Sequence, residues 1–434
     1  MTRRLLTVLA VVALVATAAC EKTTHENIDK WPNTQKGGGK LKKAAASRSI
    51  DPDLAAHAAV NLALSDRADI NGEAEVKRIM EGLPEARVQQ VMAKLAPRLW
   101  ARARTEGDPM QVPGSVQIRG KDLLFDLRKY ADAETRATID GYLSDWYTTG
   151  FYEGRATLGR NLGVTVISTI GASAGARLKE AANSVVAKRD AKIGDELLLA
   201  LAASGNPEAV RYVLDVASMD RGDPTLANRA LSALYRAFVE PGGLFTAAPP
   251  ASLAPTLDTL IAIAENPAND NRTVNDSVSL VRVVGMPGCL APLAKMAASP
   301  DLGRRYIGAN NALKCGGPKA IVTVVNALPE GKYDREALYG AVVAEIVRAT
   351  PRDETIAAVR ELLGARSWVA RWVAIEAVAA LGVKEDAARL RGLGGDGAKL
   401  QGYWGDQSGK PAKERKAEPT LGARAKELAD KLGA

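Results

Sequence analysis

Four stretches of this sequence are versions of one another: LAAHAAVNL (54–62), LANRALSAL (226–234), LGRRYIGANNAL (302–313) and VARWVAIEAVAAL (369–381). Each opens on an apolar residue, places a basic or polar residue soon after, and closes on small residues and Leu. A second set of segments answers them, LAPLAKMA (290–297), IVTVVNAL (321–328) and IAAVRELL (356–363). Leu313, Val347 and Leu381 occupy similar late positions at a spacing of 34 residues. A recurring unit of this length is one supersecondary element that cannot bury its apolar face alone, and stacking such units buries a continuous core.

The spacing inside these stretches is helical, and the rest of the chain reads the same way. Asp51 is placed as an N-cap before Pro52 at the first turn of a helix. Further helices are predicted over 73–82, 85–104, 119–131, 133–147, 157–188, 193–203, 206–217, 224–238 and 253–265. They continue over 273–284, 288–298, 302–314, 317–327, 334–349, 353–363, 367–380, 385–391 and 420–433. Gly and Pro mark many of the joints, and no convincing alternating strand occurs. Aromatic residues make up only 5% of the chain, with four Phe, so the core must be built from Ala, Leu and Val. Alanines let helices approach closely. Ala377, one turn from both Val373 and Leu381, should share their buried stripe.

The repeated segments resemble the HEAT family of helical repeats, in particular the short bacterial type in which one helix ends on an ALG-like turn, here Ala380, Leu381 and Gly382. The resemblance is clearest over 285–392, fair over 193–238 and weak over 85–190. It implies an all-α fold, an armadillo-type superhelix of stacked helix pairs. The expected organisation is a signal peptide at 1–19, a polar tether at 20–50, irregular longer helices at 51–190 and HEAT-like repeats at 191–392. A Gly/Pro/Lys-rich linker at 393–419 and a terminal helix at 420–434 complete it.

The N-terminus, MTRRLLTVLAVVALVATAACEKTT, carries an address. Arg3 and Arg4 form a positive n-region, Leu5 to Val15 an apolar stretch, and Thr17 to Ala19 a run of small residues before Cys20. The apolar run is shorter than the about 20 residues of a spanning helix. The cysteine after small residues resembles the lipobox of bacterial lipoproteins, with Thr17 where Leu is usual. That resemblance implies a diacylglyceryl thioether on Cys20, and two or three acyl chains make a stable anchor where one does not. Glu21, in place of Asp, favours the outer membrane by the sorting rule of Gram-negative lipoproteins, with the body facing the periplasm.

The net charge of +8 falls by two without Arg3 and Arg4, and the basic residues are scattered among acids. The densest basic run, GKPAKERK (409–416), also contains Glu414 and reads as a solvated linker rather than a nucleic-acid site. Cys289 and Cys315, 26 residues apart in an oxidising compartment, either form a disulfide between consecutive repeats or remain two buried thiols. With two histidines, His25 and His57, and no CxxC, no metal site is expected.

Motifs for chemistry are absent: no HExxH, no GxSxG, no P-loop, no dinucleotide fingerprint after a strand. His57 sits among small apolar residues and reads as a satisfied core or groove histidine. NPANDNRTVNDS (266–277) supplies only Asp270 and Asp276 as carboxylates and lacks the closing Glu of a calcium loop. Tyr142, Trp146, Tyr147, Phe151 and Tyr152 concentrate in YLSDWYTTGFYEGR (142–155). They read either as an interaction surface or, the favoured reading, as a seal between the longer helices and the regular repeats. Trp368 and Trp372 pose the same choice.

These features together predict a lipid-anchored envelope protein without catalytic residues or cofactor, whose helical repeats form a scaffold or adaptor for another protein. A lipid- or peptide-binding envelope protein is the alternative, followed by an enzyme acting on cell wall. The partner, the membrane leaflet and the oligomeric state are not fixed by the sequence.

Overall fold

A computed structural model describes residues 22–66, 71–105, 115–151, 154–186, 193–217, 225–242, 245, 247–331, 339–405 and 407–433. The chain is all-α, built of HEAT-like helix pairs, and no β-strand forms among the described residues beyond one isolated bridge between Lys399 and Thr420. It divides into two compact units, Met1–Lys188 and Arg189–Ala434. Cys20 lies outside the described residues, and no described helix is long and apolar enough to cross a membrane.

The first unit begins with α1 (His25–Lys30), a 3₁₀ turn at Trp31–Asn33 and α2 (Gly37–Ala45). The expectation of a polar tether over 20–50 is corrected here. Ile28, Leu41 and Ala45 are fully buried and Trp31 nearly so, because these sparse apolar residues fall on one face of two short helices. Both helices pack on α3 (Pro52–Ala63), which also touches α4 (Gly72–Gly82) and α5 (Glu85–Ala103). Asp51 caps α3 by accepting from the Asp53 amide at 2.7 Å. The unit continues through α6 (Val116–Leu127), α7 (Ala133–Gly150), α8 (Gly163–Ile170) and α9 (Ala172–Val186).

The single helix expected over 157–188 starts only at Gly163 and is broken once. Gly171 adopts φ +88° between α8 and α9, and Gly159 adopts φ +84° in the loop before α8, conformations that glycine enters without steric cost. That loop is pinned from below by Lys121, fully buried on α6. Its ammonium lies 2.7 Å from Asp122, donates to Tyr147 Oη at 3.0 Å, and reaches the carbonyls of Leu158 (2.8 Å) and Asn161 (3.0 Å). Asp122 in turn accepts from the amides of Arg160 (2.8 Å) and Asn161 (3.1 Å). A buried charge is tolerable only when paired and hydrogen-bonded in this way. Burial still pushes the Lys121 ammonium below its ordinary pKa, opposed by Asp122.

In the second unit two rows of helices stack. One row contains α10 (Asp195–Ala203), α12 (Leu226–Phe238), α14 (Asn271–Val284), α16 (Leu302–Gly316), α18 (Gly340–Arg348), α20 (Trp368–Leu381) and α22 (Leu421–Gly433), each packed on the next. The row behind it contains α11 (Pro207–Ala217), α13 (Leu257–Glu265), α15 (Leu290–Ala297), α17 (Pro318–Ala327), α19 (Arg352–Leu362) and α21 (Ala387–Gly392). The interior is mostly aliphatic, and Ala377, Val373 and Ile375 of α20 are fully buried.

The basic residue near the start of each repeated segment has a structural task. Arg304 donates to the carbonyls of Ala264 (2.9 Å), Asn266 (2.7 Å) and Asn269 (3.1 Å), at and just beyond the end of α13. Arg371 donates to the carbonyls of Ala365 (2.8 Å) and Arg366 (2.6 Å) and to Asp396 (2.8 Å). Arg229 donates to the Ile193 carbonyl. At the end of α13 the last carbonyls lack intrahelical donors and carry the negative end of the dipole, so the Arg304 guanidinium both satisfies and neutralises them, while Arg371 and Arg229 tie down loop carbonyls next to their helices.

The stretch expected as a linker, 393–419, is folded against this unit. Leu400 is fully buried, Glu418 accepts from the amides of Gly402 (3.1 Å) and Tyr403 (2.9 Å), and Trp404 donates to the Ala417 carbonyl at 3.0 Å. One carboxylate tying two amides overrides the Gly/Pro-rich composition that suggests flexibility.

Candidate functional site

The exposed surface of α10, α12 and α14 holds a groove of about 440 Å³, lined by Asp195, Asn228, Arg229, Ser232, Arg236, Asp270, Arg272, Thr273 and Asp276 among others. Helical periodicity places these side chains. Asn228, Ser232 and Arg236 stand one turn apart on α12, as do Arg272 and Asp276 on α14. The N-terminus of α14 is fixed by Asp270, which accepts from the Thr273 amide at 2.7 Å. Arg229 leans across to Asp195 at 2.5 Å, so one side of the groove is neutralised internally.

Arg236 and Arg272 are exposed, whereas Asp276 is half-buried. Burial pushes the Asp276 carboxyl above the ordinary carboxylate range; Arg272 opposes this, and the nearby carboxylates of Asp270 and Glu240 add to it. The groove therefore presents exposed guanidinium donors beside a carboxyl of raised proton affinity. Such a surface can hold a polar ligand through charge-assisted hydrogen bonds. A second, more open depression of about 680 Å³ lies further along the unit, beside Met286, Lys314, Cys315, Glu345, Arg348 and Glu354. No group of three or more His, Cys, Asp or Glu side chains among the described residues is placed to hold a metal ion.

The residues singled out from sequence are distributed differently. Cys289 and Cys315 are joined as a disulfide, with their Cα atoms 6.6 Å apart, linking the start of α15 to the end of α16. The aromatic interaction surface needs correction. Trp146 and Tyr147 are buried, 3% and 0% exposed, and Trp372 is 2% exposed in an edge contact with Tyr339. Their rings fill gaps that an alanine-rich core leaves between helices, so they are not free to meet a partner. Phe151 and Trp368 are half-buried, the backbone amide of Trp368 donating to Glu330 at 3.1 Å. Tyr152 lies outside the described residues, as does Cys20. The groove residues were missed because Arg272 and Asp276 have the i, i+4 spacing of any solvated helix face, and only the packing of α12 beside α14 makes them a wall.

No family model matches the chain, and no curated protein matches it. Solved structures do. An engineered protein is similar over 95% of this chain and 99% of its own, with 12% identity and a TM-score of 0.32. Human deoxyhypusine hydroxylase in complex with glycerol is similar over 67% of this chain and 97% of its own, with 16% identity and a TM-score of 0.24. The expectation that the chain is not an enzyme is corrected: a stack of helices gives no ground for excluding catalysis.

Proposed function

We propose that this chain is a lipid-anchored protein of a bacterial cell envelope, tethered through Cys20, whose second unit binds a polar segment of a partner protein. The observation that carries the binding reading is the groove over α10, α12 and α14. It has both signs of charge on its walls and exposed Arg236 and Arg272 at its rim. Arginine is favoured at protein interfaces because its planar fork makes several directed bonds at once. Polar walls suit a peptide chain better than a lipid tail. The anchor rests on the lipobox-like residues 17–20, and outer-membrane placement on Glu21.

A photoreactive amino acid in place of Ser232 in the groove, and in place of Lys295 on α15 as a control, tests this in cells. One partner captured at Ser232 and not at Lys295 is the expected result, and equal capture at both positions refutes the groove. Radiolabelled palmitate incorporation lost in Cys20→Ser tests the anchor separately. One observation favours a second reading, an enzyme acting on cell-wall glycan: a carboxyl of raised proton affinity in a groove is what such a reaction asks of its general acid. Glycan release abolished in Asp276→Asn, with no captured partner, would favour that reading.

A further inference from the structure

The only two histidines of the chain, 32 positions apart, face each other across α1 and α3. Their Nδ1 atoms are 2.8 Å apart and their ring centroids 5.1 Å. The remaining nitrogens meet carboxylates: His57 Nε2 lies 2.7 Å from Asp29, and His25 Nε2 lies 3.3 Å from Asp53. A carboxylate accepts hydrogen bonds and an imidazole nitrogen either donates or accepts, so each Nε2 carries a proton. The two Nδ1 atoms then have room for one proton between them. With none, two lone pairs oppose each other at hydrogen-bond distance; with two, a pair of N–H groups does.

We propose that His25 and His57 share a single proton, and that this pair is an acid-sensitive latch holding α1 against α3. The contact fits one protonation state, with three protons on four ring nitrogens. The surrounding charges keep both carboxylates in place. From α5, Arg98 donates to both oxygens of Asp53, at 3.0 and 2.7 Å, and holds its carboxyl below the ordinary range. Lys94, also on α5, acts on Asp53 in the same sense. From α3, Asn61 donates to Asp29 and to the Ile28 carbonyl, both at 3.2 Å. On α1 itself Glu26 is engaged by Lys30 at 2.5 Å. His25 is half exposed, which lets solvent protons reach the pair, while the His57 ring is 10% exposed.

A second proton on this pair meets two penalties, the buried His57 ring and its cationic neighbours Arg98 and His25. Both push His57 below the ordinary histidine pKa, against Asp29. A histidine whose proton affinity is lowered in the closed form binds protons better once released. Closure therefore weakens as the pH falls from about 6.5 through the lowered value, where a second proton binds, and weakens again at higher pH as the shared proton is lost. One linked proton makes the open population grow about tenfold per pH unit in the acid window. If Cys20 is lipidated as proposed above, α1 is the first packed element after the anchor. Opening would then lengthen the tether by up to about 3.5 Å for each released residue.

Hydrogen exchange of the full-length protein, corrected for intrinsic rates, reads the latch directly and independently of lipidation. The expected result is loss of protection in residues 25–33 by about tenfold per pH unit below pH 6.5, with α4 and α5 unchanged. His25→Gln/His57→Gln, which removes both titrating rings, should show the same protection of residues 25–33 at pH 5 and pH 6.5, with α4 and α5 protected as in wild type. Equal protection of wild type at the two pH values would overturn the proposal. So would wild-type pH dependence persisting in the double variant. Cys20→Ser should leave the pH profile intact, so failure of the anchor and failure of the latch are read separately.

Discussion

Replacing Ala377 with glutamate tests the packing that holds the stacked helices together. Ala377 is fully buried on α20, with Val373 and Leu381 buried one turn on either side. A carboxyl introduced there enters hydrocarbon. Rather than ionise, it takes up a proton, which caps the electrostatic cost at pH 7 near 2.7 pH units of an ordinary glutamate, about 3.7 kcal/mol. The added side-chain volume in a close-packed interior costs about 1–3 kcal/mol more. Together these amount to a large part of the stability of an ordinary domain, about 5–15 kcal/mol. For a unit of this size the melting temperature should fall by about 10–25 °C. Because each repeat leans on its neighbours, α18, α20 and α22 should lose amide protection before α10 and α12. The introduced carboxyl has a raised pKa in the fold, so its electrostatic cost is absent below about pH 4.3 and grows as the pH rises to 7. Far-UV circular dichroism melts of Ala377→Glu and wild type at pH 5 and pH 7.5 are the assay. A melting temperature within a degree of wild type, or a difference that does not depend on pH, refutes the placement of α20.

Two further perturbations probe how the repeats are joined. Removing the disulfide in Cys289→Ser/Cys315→Ser opens a closed loop of 26 residues, at an expected cost of about 3.5 kcal/mol; denaturant midpoints should fall, and reductant should lower wild type to the mutant's value while leaving the mutant unmoved. Arg304→Met leaves the carbonyls of Ala264, Asn266 and Asn269 without their donor and should cost about 2–4 kcal/mol, with Arg304→Lys intermediate; equal melts for Met and wild type would show that solvent serves those carbonyls as well.

Periodicity and small-residue content made the helices, their stacking in pairs and the burial of Ala377 legible in the sequence, because each depends on which residues lie within one turn of each other. The recurring basic residue of the repeats was also visible, but its role was not. Arg304 acts on carbonyls 35 to 40 positions away, and no local pattern reports that distance. Composition misled at 20–50 and 393–419, where polar and glycine-rich sequence folds because Ile28, Trp31, Leu41 and Leu400 find partners elsewhere in the chain. Burial of Trp146, Tyr147 and Trp372 was open in the sequence for the same reason: an aromatic side chain serves a core or a surface equally well until its neighbours are known.

The sequence by itself determined the helices and their repetition, since hydrogen bonding within a helix and the stripe it presents are local properties. Only the tertiary structure decided the sites. Asp276 becomes a groove carboxyl because α12 lies beside α14, and His25 meets His57 because α1 folds back on α3. A shift in proton affinity requires burial and charged neighbours within a few ångströms, and those are supplied by residues distant in the chain.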